Sequence, residues 1–406
     1  MASSETTATP AAGVPDKQTI ARTFGVLLVG MVFLGMGITI PGVAWPSIAE
    51  DLGRPLAQLG FVSLAYGSGY TLATVASGAL ALRFRTGAIL LSAALASVGT
   101  LALIVLMPGW PAFLAGMFVF GLAGGSTDGT ANTYVAIRRG AGSMGVLHGA
   151  FGVGAILGPL LVAGIISAGG SWRVAFAALA VGQAIYSAGL FVYGRQADVP
   201  AQSSPRGEGG LTLSGPLFWS LAVFFAYAGV GGGAAIWAFT YLTEYQDFGT
   251  EAGGIIVAAY WGGFTAARFL LGYIGDSVDP NKILRLSASF TIVGLAAFWL
   301  SPTPLLAVLA LIFTGFAHGP IFPLEILLTP RRFGTEHTAN VVGFEIAAAN
   351  VGGAILPAAV GIMVGVWDLG VVPPAILVFS LLLFVCVEML RRSSGVITPT
   401  LADPAS

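Results

Sequence analysis

Charge is the scarcest property of this sequence. Charged residues fill 9% of the 406 positions and hydrophobic ones 56%, whereas soluble domains carry roughly a quarter charged residues. Such a chain belongs in a lipid bilayer, and the composition excludes a nucleic-acid partner. Cysteine is almost absent: Cys386 alone permits neither an intramolecular disulfide framework nor a thiolate metal cluster. Three scattered histidines offer no metal set and no nucleophile/base pair near an interface. No Gly-x-x-x-x-Gly-Lys-Ser/Thr loop is present for ATP. We therefore expect no enzyme, metal or cofactor. Residues 1–23 are Ser/Thr/Ala/Pro-rich and lack the charged-then-apolar layout of a cleavable signal, so they read as a disordered cytoplasmic tail.

What is present in quantity is long apolar sequence. Runs of about 20 residues, enough for a hydrocarbon core of about 30 Å, recur twelve times between Phe24 and Leu390. The 58 glycines suit helices whose backbones approach closely in lipid. Turn chemistry such as Met107-Pro108-Gly109, Asp279-Pro280-Asn281 and Ser301-Pro302-Thr303-Pro304 separates the runs.

The basic residues are ordered along this path. With the N-terminus in the cytoplasm, all but three of the seventeen fall on the inner side, among them Arg22, Arg83, Arg138, Arg206, Lys282, Arg331 and Arg391. Arg54 and Arg173 fall outside and Arg268 lies within a span. The positive-inside rule then puts both termini in the cytoplasm of a multi-pass protein, in the plasma membrane or, in a bacterium, the inner membrane.

A Pro/Gly-bearing linker, 197–212, divides the spans six and six. The expected organisation is an N-terminal bundle at 24–196, that linker, a C-terminal bundle at 213–392 and a cytoplasmic tail at 393–406. The halves echo each other: Gly154-x-x-x-x-Pro159 recurs as Gly352-x-x-x-x-Pro357, and Gly78 as Gly272, which implies a duplicated six-span unit.

Six plus six spans, the central linker and Ser171-Trp172-Arg173 opening the sixth span resemble the major facilitator superfamily over nearly the whole chain. Gly121-Leu122-Ala123-Gly124-Gly125-Ser126-Thr127-Asp128-x-x-x-Asn132, then Leu147-His148-Gly149-x-Phe151-Gly152-x-Gly154, Tyr227-x-Gly229 with Trp237, and Tyr260-Trp261-Gly262-Gly263 are similar to the fucose permease branch. That resemblance implies an all-α membrane protein of two pseudo-symmetric six-helix bundles, and sugar/proton symport. This chain departs from the branch in the first span, where Gly35 to Thr39 include no acid, and in the seventh, where Gly231 stands in an acidic position. Gly154-x-x-x-Gly158-Pro159 also resembles the fifth-span motif of drug/proton antiporters, whose fourth-span arginine is missing here.

An ionisable side chain within a bilayer costs about 2.5–3.5 kcal/mol even on insertion scales, so each one is a candidate for function. They are Asp128, His148, Arg268, His318, Glu325 and Glu345. At 1.5 Å per residue, Asp128 and Arg268 lie roughly 25 Å below the outer ends of their spans, and Glu345 lies about 10 Å above the inner end of its own. Asp128 reads either as a carboxyl that binds and releases a proton or as a fixed hydrogen-bond partner closing the cytoplasmic side, with Asn132 one turn away. His148 and Glu345 are the other candidates for proton coupling. Arg268 needs an anion, which Glu345, Glu325, Asp128 or an anionic substrate could supply; a protein carboxylate is the expected partner, with Arg268 and Glu325 forming a charge pair or gate. Trp261, Thr265 and Arg268 form one helical stripe and His318, Phe322 and Glu325 another. With Asn132, Trp237, Tyr260 and Asn350 they are expected to line a substrate cavity.

Few amide side chains fall inside the spans, while aromatics are plentiful. The reading is a monomeric secondary transporter moving a small, amphiphilic organic solute by alternating access, coupled to protons. A fucose/glucose-type sugar-proton symporter and an uncoupled facilitator are the alternatives within transport, and a membrane receptor is the one outside it.

Overall fold

A computed structural model of the chain describes residues 17–106, 109–138, 141–193, 214–274, 279–301, 303–334 and 338–394. Among them it is helical: α1 (Lys17–Asp51), α2 (Leu59–Arg83), α3 (Thr86–Leu106), α4 (Trp110–Arg138), α5 (Ala141–Ser167) and α6 (Trp172–Tyr193) form one half. The other half consists of α7 (Gly215–Glu244), α8 (Thr250–Ile274), α9 (Pro280–Trp299), α10 (Pro304–His318), α11 (Ile321–Phe333), α12 (Thr338–Val366) and α13 (Val372–Ser394). Among the described residues eleven segments are long and apolar enough to cross a bilayer, with α10 and α11 together making one of them. α2 supplies a twelfth crossing, because it carries the chain from the end marked by Asp51 to the end marked by Arg83. The expected linker at 197–212 lies outside the described residues, as does the expected tail at 393–406 except for Ser393 and Ser394, which end α13. α1 starts at Lys17, earlier than the expected bundle boundary at Phe24, since no proline or glycine interrupts Lys17 to Thr23.

The turn residues act as helix starts. Asp279, Thr303 and Ser214 cap α9, α10 and α7, each accepting from a backbone N–H of the first turn and each followed by a proline at the first or second helical position. There the missing proline N–H costs nothing. Inside the tenth span the prolines break the helix instead. Pro320 and Pro323 cannot donate to the carbonyls four residues before them, so the chain pauses between His318 and Ile321 and leaves the Gly319 carbonyl without its helical donor.

The two halves share one wiring. α1 packs on α5 and α6 as α7 packs on α12 and α13; α2 packs on α4 as α8 packs on α10; α3 packs on α4 and α6 as α9 packs on α10 and α13. The contact points repeat as well. A Cβ on Gly121 would meet the Tyr66 carbonyl, and one on Gly315 the Tyr260 carbonyl. The steps 121 to 315 and 66 to 260 are both 194 residues. Gly125 against the Tyr70 carbonyl and Gly319 against the Phe264 carbonyl keep the same step.

Across the halves, α5 lies on α8, α2 on α12 and α1 on α7. α1–α7 and α2–α12 meet tightly at the end away from the arginine-rich helix termini. A Cβ on Gly42 would sit 3.0 Å from Ile236, and one on Gly361 2.7 Å from the Ala57 carbonyl. The two arginines at that far end are occupied: Arg173 pairs with Asp51 at 2.7 Å and Arg54 lies over Trp110.

Candidate functional site

Beneath the far-end closure the halves part around a cavity of about 300 Å³. α1, α2, α4 and α5 supply one wall, and α7, α8, α10, α11 and α12 the other. Pro41, Gly42, Leu59 and Ile236 roof it under the closure, while Tyr70, Asp128, His148, Arg268 and Phe322 line it toward the arginine-rich end. Of the residues expected from the sequence, Asp128, His148, Trp261, Arg268, His318, Phe322 and Asn350 reach this wall.

Asp128 is held by two donors from different helices. The Tyr70 hydroxyl on α2 donates to Oδ2 at 2.7 Å, and Asn132 Nδ2, one turn along α4, donates to Oδ1 at 2.8 Å. Asn132 is thus a positioning group for Asp128 and is absent from the cavity lining. The donors are chemically unequal. An amide NH₂ can only donate, whereas a phenolic hydroxyl can donate or accept. Of the two oxygens, Oδ2 is therefore the one whose partner can turn from donor to acceptor. His148 shares the wall, yet both Asp128 oxygens are bound elsewhere.

Arg268 has no carboxylate partner among the described residues. Its Nε donates to the Gly319 carbonyl at 3.1 Å, the acceptor that Pro323 leaves open, one Nη donates to the Tyr227 hydroxyl at 3.1 Å, and its plane lies 4.2 Å from the Phe264 ring centre. The expected pairs with Glu345 or Glu325 do not form. Glu345 faces Ser220 of α7 and Thr329 of α11, accepting 2.5 Å and 3.0 Å hydrogen bonds from their hydroxyls. Glu325 is bound by Arg332, two turns along its own helix. Both acids are fully buried and off the cavity wall. Equal depth did not bring them to Arg268 because they point to other sides of their helices.

Trp237 is fully buried and donates to the Pro357 carbonyl at 3.0 Å, tying α7 to α12 behind the cavity. Thr265 stands at the α5–α8 seam, where a Cβ on Gly152 would collide with its hydroxyl. Tyr260 is buried and absent from the cavity lining, while His318 stacks on Tyr227 at 4.3 Å and 10°. The sequence reading missed Tyr70 and Tyr227 as partners of the two cavity charges. Tyr227 stood in a quoted motif; nothing local to the sequence links Tyr70 to a residue 58 positions away.

Several buried polar atoms around the cavity have no protein partner: Tyr66 Oη, Trp261 Nε1, Asn350 Nδ2 and both His318 nitrogens. Buried polar groups are normally hydrogen-bonded, so these atoms await a ligand or solvent. Most of them are donors.

A family model described as Major Facilitator Superfamily matches residues 27–357 and 253–399. The chain is 32% identical over 143 residues to a provisional glucose/galactose transporter of Helicobacter pylori, covering 35% of this chain and 34% of that protein. The chain thus spans about a third of the length of this relative. A glucose/mannose transporter of Bacillus subtilis is 25% identical over 275 residues, covering 64% of this chain and 68% of the relative. Among solved structures, a bacterial homologue of the human lysosomal transporter Spinster, inward-facing and occupied, superposes with a TM-score of 0.75 at 15% identity over 96% of this chain and 100% of that one.

Proposed function

The chain belongs to the Major Facilitator Superfamily and is a multi-pass membrane transporter; on that premise we propose that it carries a small amphiphilic organic solute through the cavity between its halves, by alternating access and coupled to a proton on Asp128. One observation carries the reading. A titratable carboxyl, held by a reversible hydroxyl donor, sits in the wall of an aromatic cavity that also presents unpartnered hydrogen-bonding atoms. Apolar walls take the apolar face of a solute, and a few placed polar groups fix its orientation. A hexose has such a face and a rim of hydroxyls. The names of the two relatives favour a sugar as the second reading.

The arginine-rich end is cytoplasmic in this proposal, both termini with it, because inner loops collect Lys and Arg; the transporter works as a monomer. Coupling follows from neutralisation. Alternating access lets the carrier equilibrate between two states, and protonation removes the Asp128 charge for the passage.

The test is solute flux in proteoliposomes with an imposed pH gradient. Coupling of one proton per solute sustains about tenfold accumulation per pH unit. Asp128→Asn mimics the protonated acid and retains the Tyr70 and Asn132 side of the site. It is expected to abolish accumulation while leaving solute exchange near wild type. Full gradient-driven accumulation in Asp128→Asn would remove the coupling role.

A further inference from the structure

Arg268 is a permanent cation on the wall of a transport cavity, and its partners there are a carbonyl, a phenol and an aromatic face. All three are neutral. The acids that could have balanced it are committed: Glu345 to Ser220 and Thr329, Glu325 to Arg332, Asp128 to Tyr70 and Asn132. Two of its five N–H donors are used, which leaves three. An uncompensated charge in a closing, water-poor cavity is expensive, so once a proton neutralises Asp128 the carrier needs another anion to close over Arg268.

The rest of the wall has the same bias. Trp261 Nε1 and Asn350 Nδ2 are donors without acceptors, and Tyr66 Oη and the His318 nitrogens are also unpartnered. A ligand rich in acceptors satisfies that set. The aromatic lining and the volume of about 300 Å³ set the size of the skeleton. One guanidinium balances one negative charge, which favours a carboxylate over a phosphate dianion.

We infer that the solute is an organic monoanion, a carboxylate on a hydroxylated skeleton of the sugar-acid kind, held by Arg268 and the Tyr227 hydroxyl beside it. The inference rests on the reading of this cavity as the transport site. It also gives Asp128 and Arg268 a joint role. In the empty carrier the Asp128 carboxylate and Arg268 leave the cavity neutral overall. In the loaded carrier the proton neutralises Asp128 and the solute balances Arg268. The cavity is neutral in both passages, and one proton and one anion cross together without net charge. The other titratable side chains on the wall are His148, His318, Tyr66, Tyr70 and Tyr227, and the charge balance holds with each of them neutral.

The experiment compares uptake of glucuronate, gluconate and glucose into proteoliposomes under an inward proton gradient, with and without an imposed membrane potential. The acids are expected to enter saturably, with at least about tenfold higher kcat/KM than glucose, and at a rate unmoved by the potential. Arg268→Gln is expected to erase that preference and Arg268→Lys to keep part of it. If Arg268→Gln does not fold, the acid-to-glucose ratio and the potential dependence of the wild type decide. Proton-driven glucose uptake that exceeds uptake of the acids, or uptake of the acids that responds to the potential, overturns the inference and leaves the proposed function standing. Retention of the acid preference in Arg268→Gln also overturns it. Uptake of none of the three solutes overturns the inference together with the sugar reading, and leaves the amphiphilic solute of the proposed function standing.

Discussion

Glu325 and Arg332 pair inside α11 with side-chain exposures of 0% and 7%. Removing one partner from a buried ion pair strands the other and costs about 3–5 kcal/mol, whereas replacing both by apolar residues is often neutral. Arg332→Leu is therefore expected to lower the melting temperature of the purified protein sharply, and Glu325→Leu/Arg332→Leu to recover most of the loss. Equal melting of the single and double variants would show that the two side chains are not coupled. This pair also explains a limit of the sequence. Hydropathy gives each residue a depth, and depth correctly put Asp128, Arg268, Glu325 and Glu345 within the spans. It gives no direction around the helix. Contacts within one helix, such as Asp128 with Asn132, are legible from spacing alone. Contacts between helices, such as Tyr70 with Asp128 or Ser220 with Glu345, depend on how the helices are rotated, and single-sequence periodicity is weak where nearly every position is apolar.

Between elements, glycine sets the distances. Gly121 and Gly315 sit where α4 and α10 touch the backbones of α2 and α8, so a larger side chain at either must separate a helix pair. Overpacking of this kind costs about 1–3 kcal/mol. Gly121→Val and Gly315→Val are expected to destabilise the protein by similar amounts, measured by thermal melting in detergent, because the two sites are copies of one contact. Gly164, whose Cβ would meet nothing within 4 Å, is the control, and Gly164→Val should leave melting nearly unchanged. A large effect at Gly121 with none at Gly315 would contradict the duplication at the level of packing. The duplication was legible because Gly and Pro recur at offsets that apolar residues cannot mark. The interruption at Gly319-Pro320 was not, because an apolar run records the length of a span and not its continuity. That interruption matters to the site, since it presents the carbonyl that anchors Arg268.

At the scale of the whole molecule, alternating access requires the far-end closure to open. The closure consists of α1 against α7 and α2 against α12, with few side-chain atoms between the backbones, and such glycine-to-backbone seams separate without disturbing the packing inside each half. A covalent tie across it gives a direct test. A Cβ on Gly365 would lie 3.4 Å from the Ala57 Cβ, close to the spacing of about 3.5–4.5 Å found in disulfides, and the chain's lone Cys386 is buried and so does not compete for the oxidant. Ala57→Cys/Gly365→Cys is expected to transport when reduced, to fall to the background of empty liposomes when oxidised, and to recover on reduction. Solute binding from the arginine-rich side should survive oxidation, because the tie holds the arrangement in which the cavity is already formed. If the oxidised protein, shown by mass to be fully cross-linked, still carried solute at the wild-type rate, the halves would not be separating at this end, and the rocking mechanism would have to give way to one in which the far-end seam stays shut.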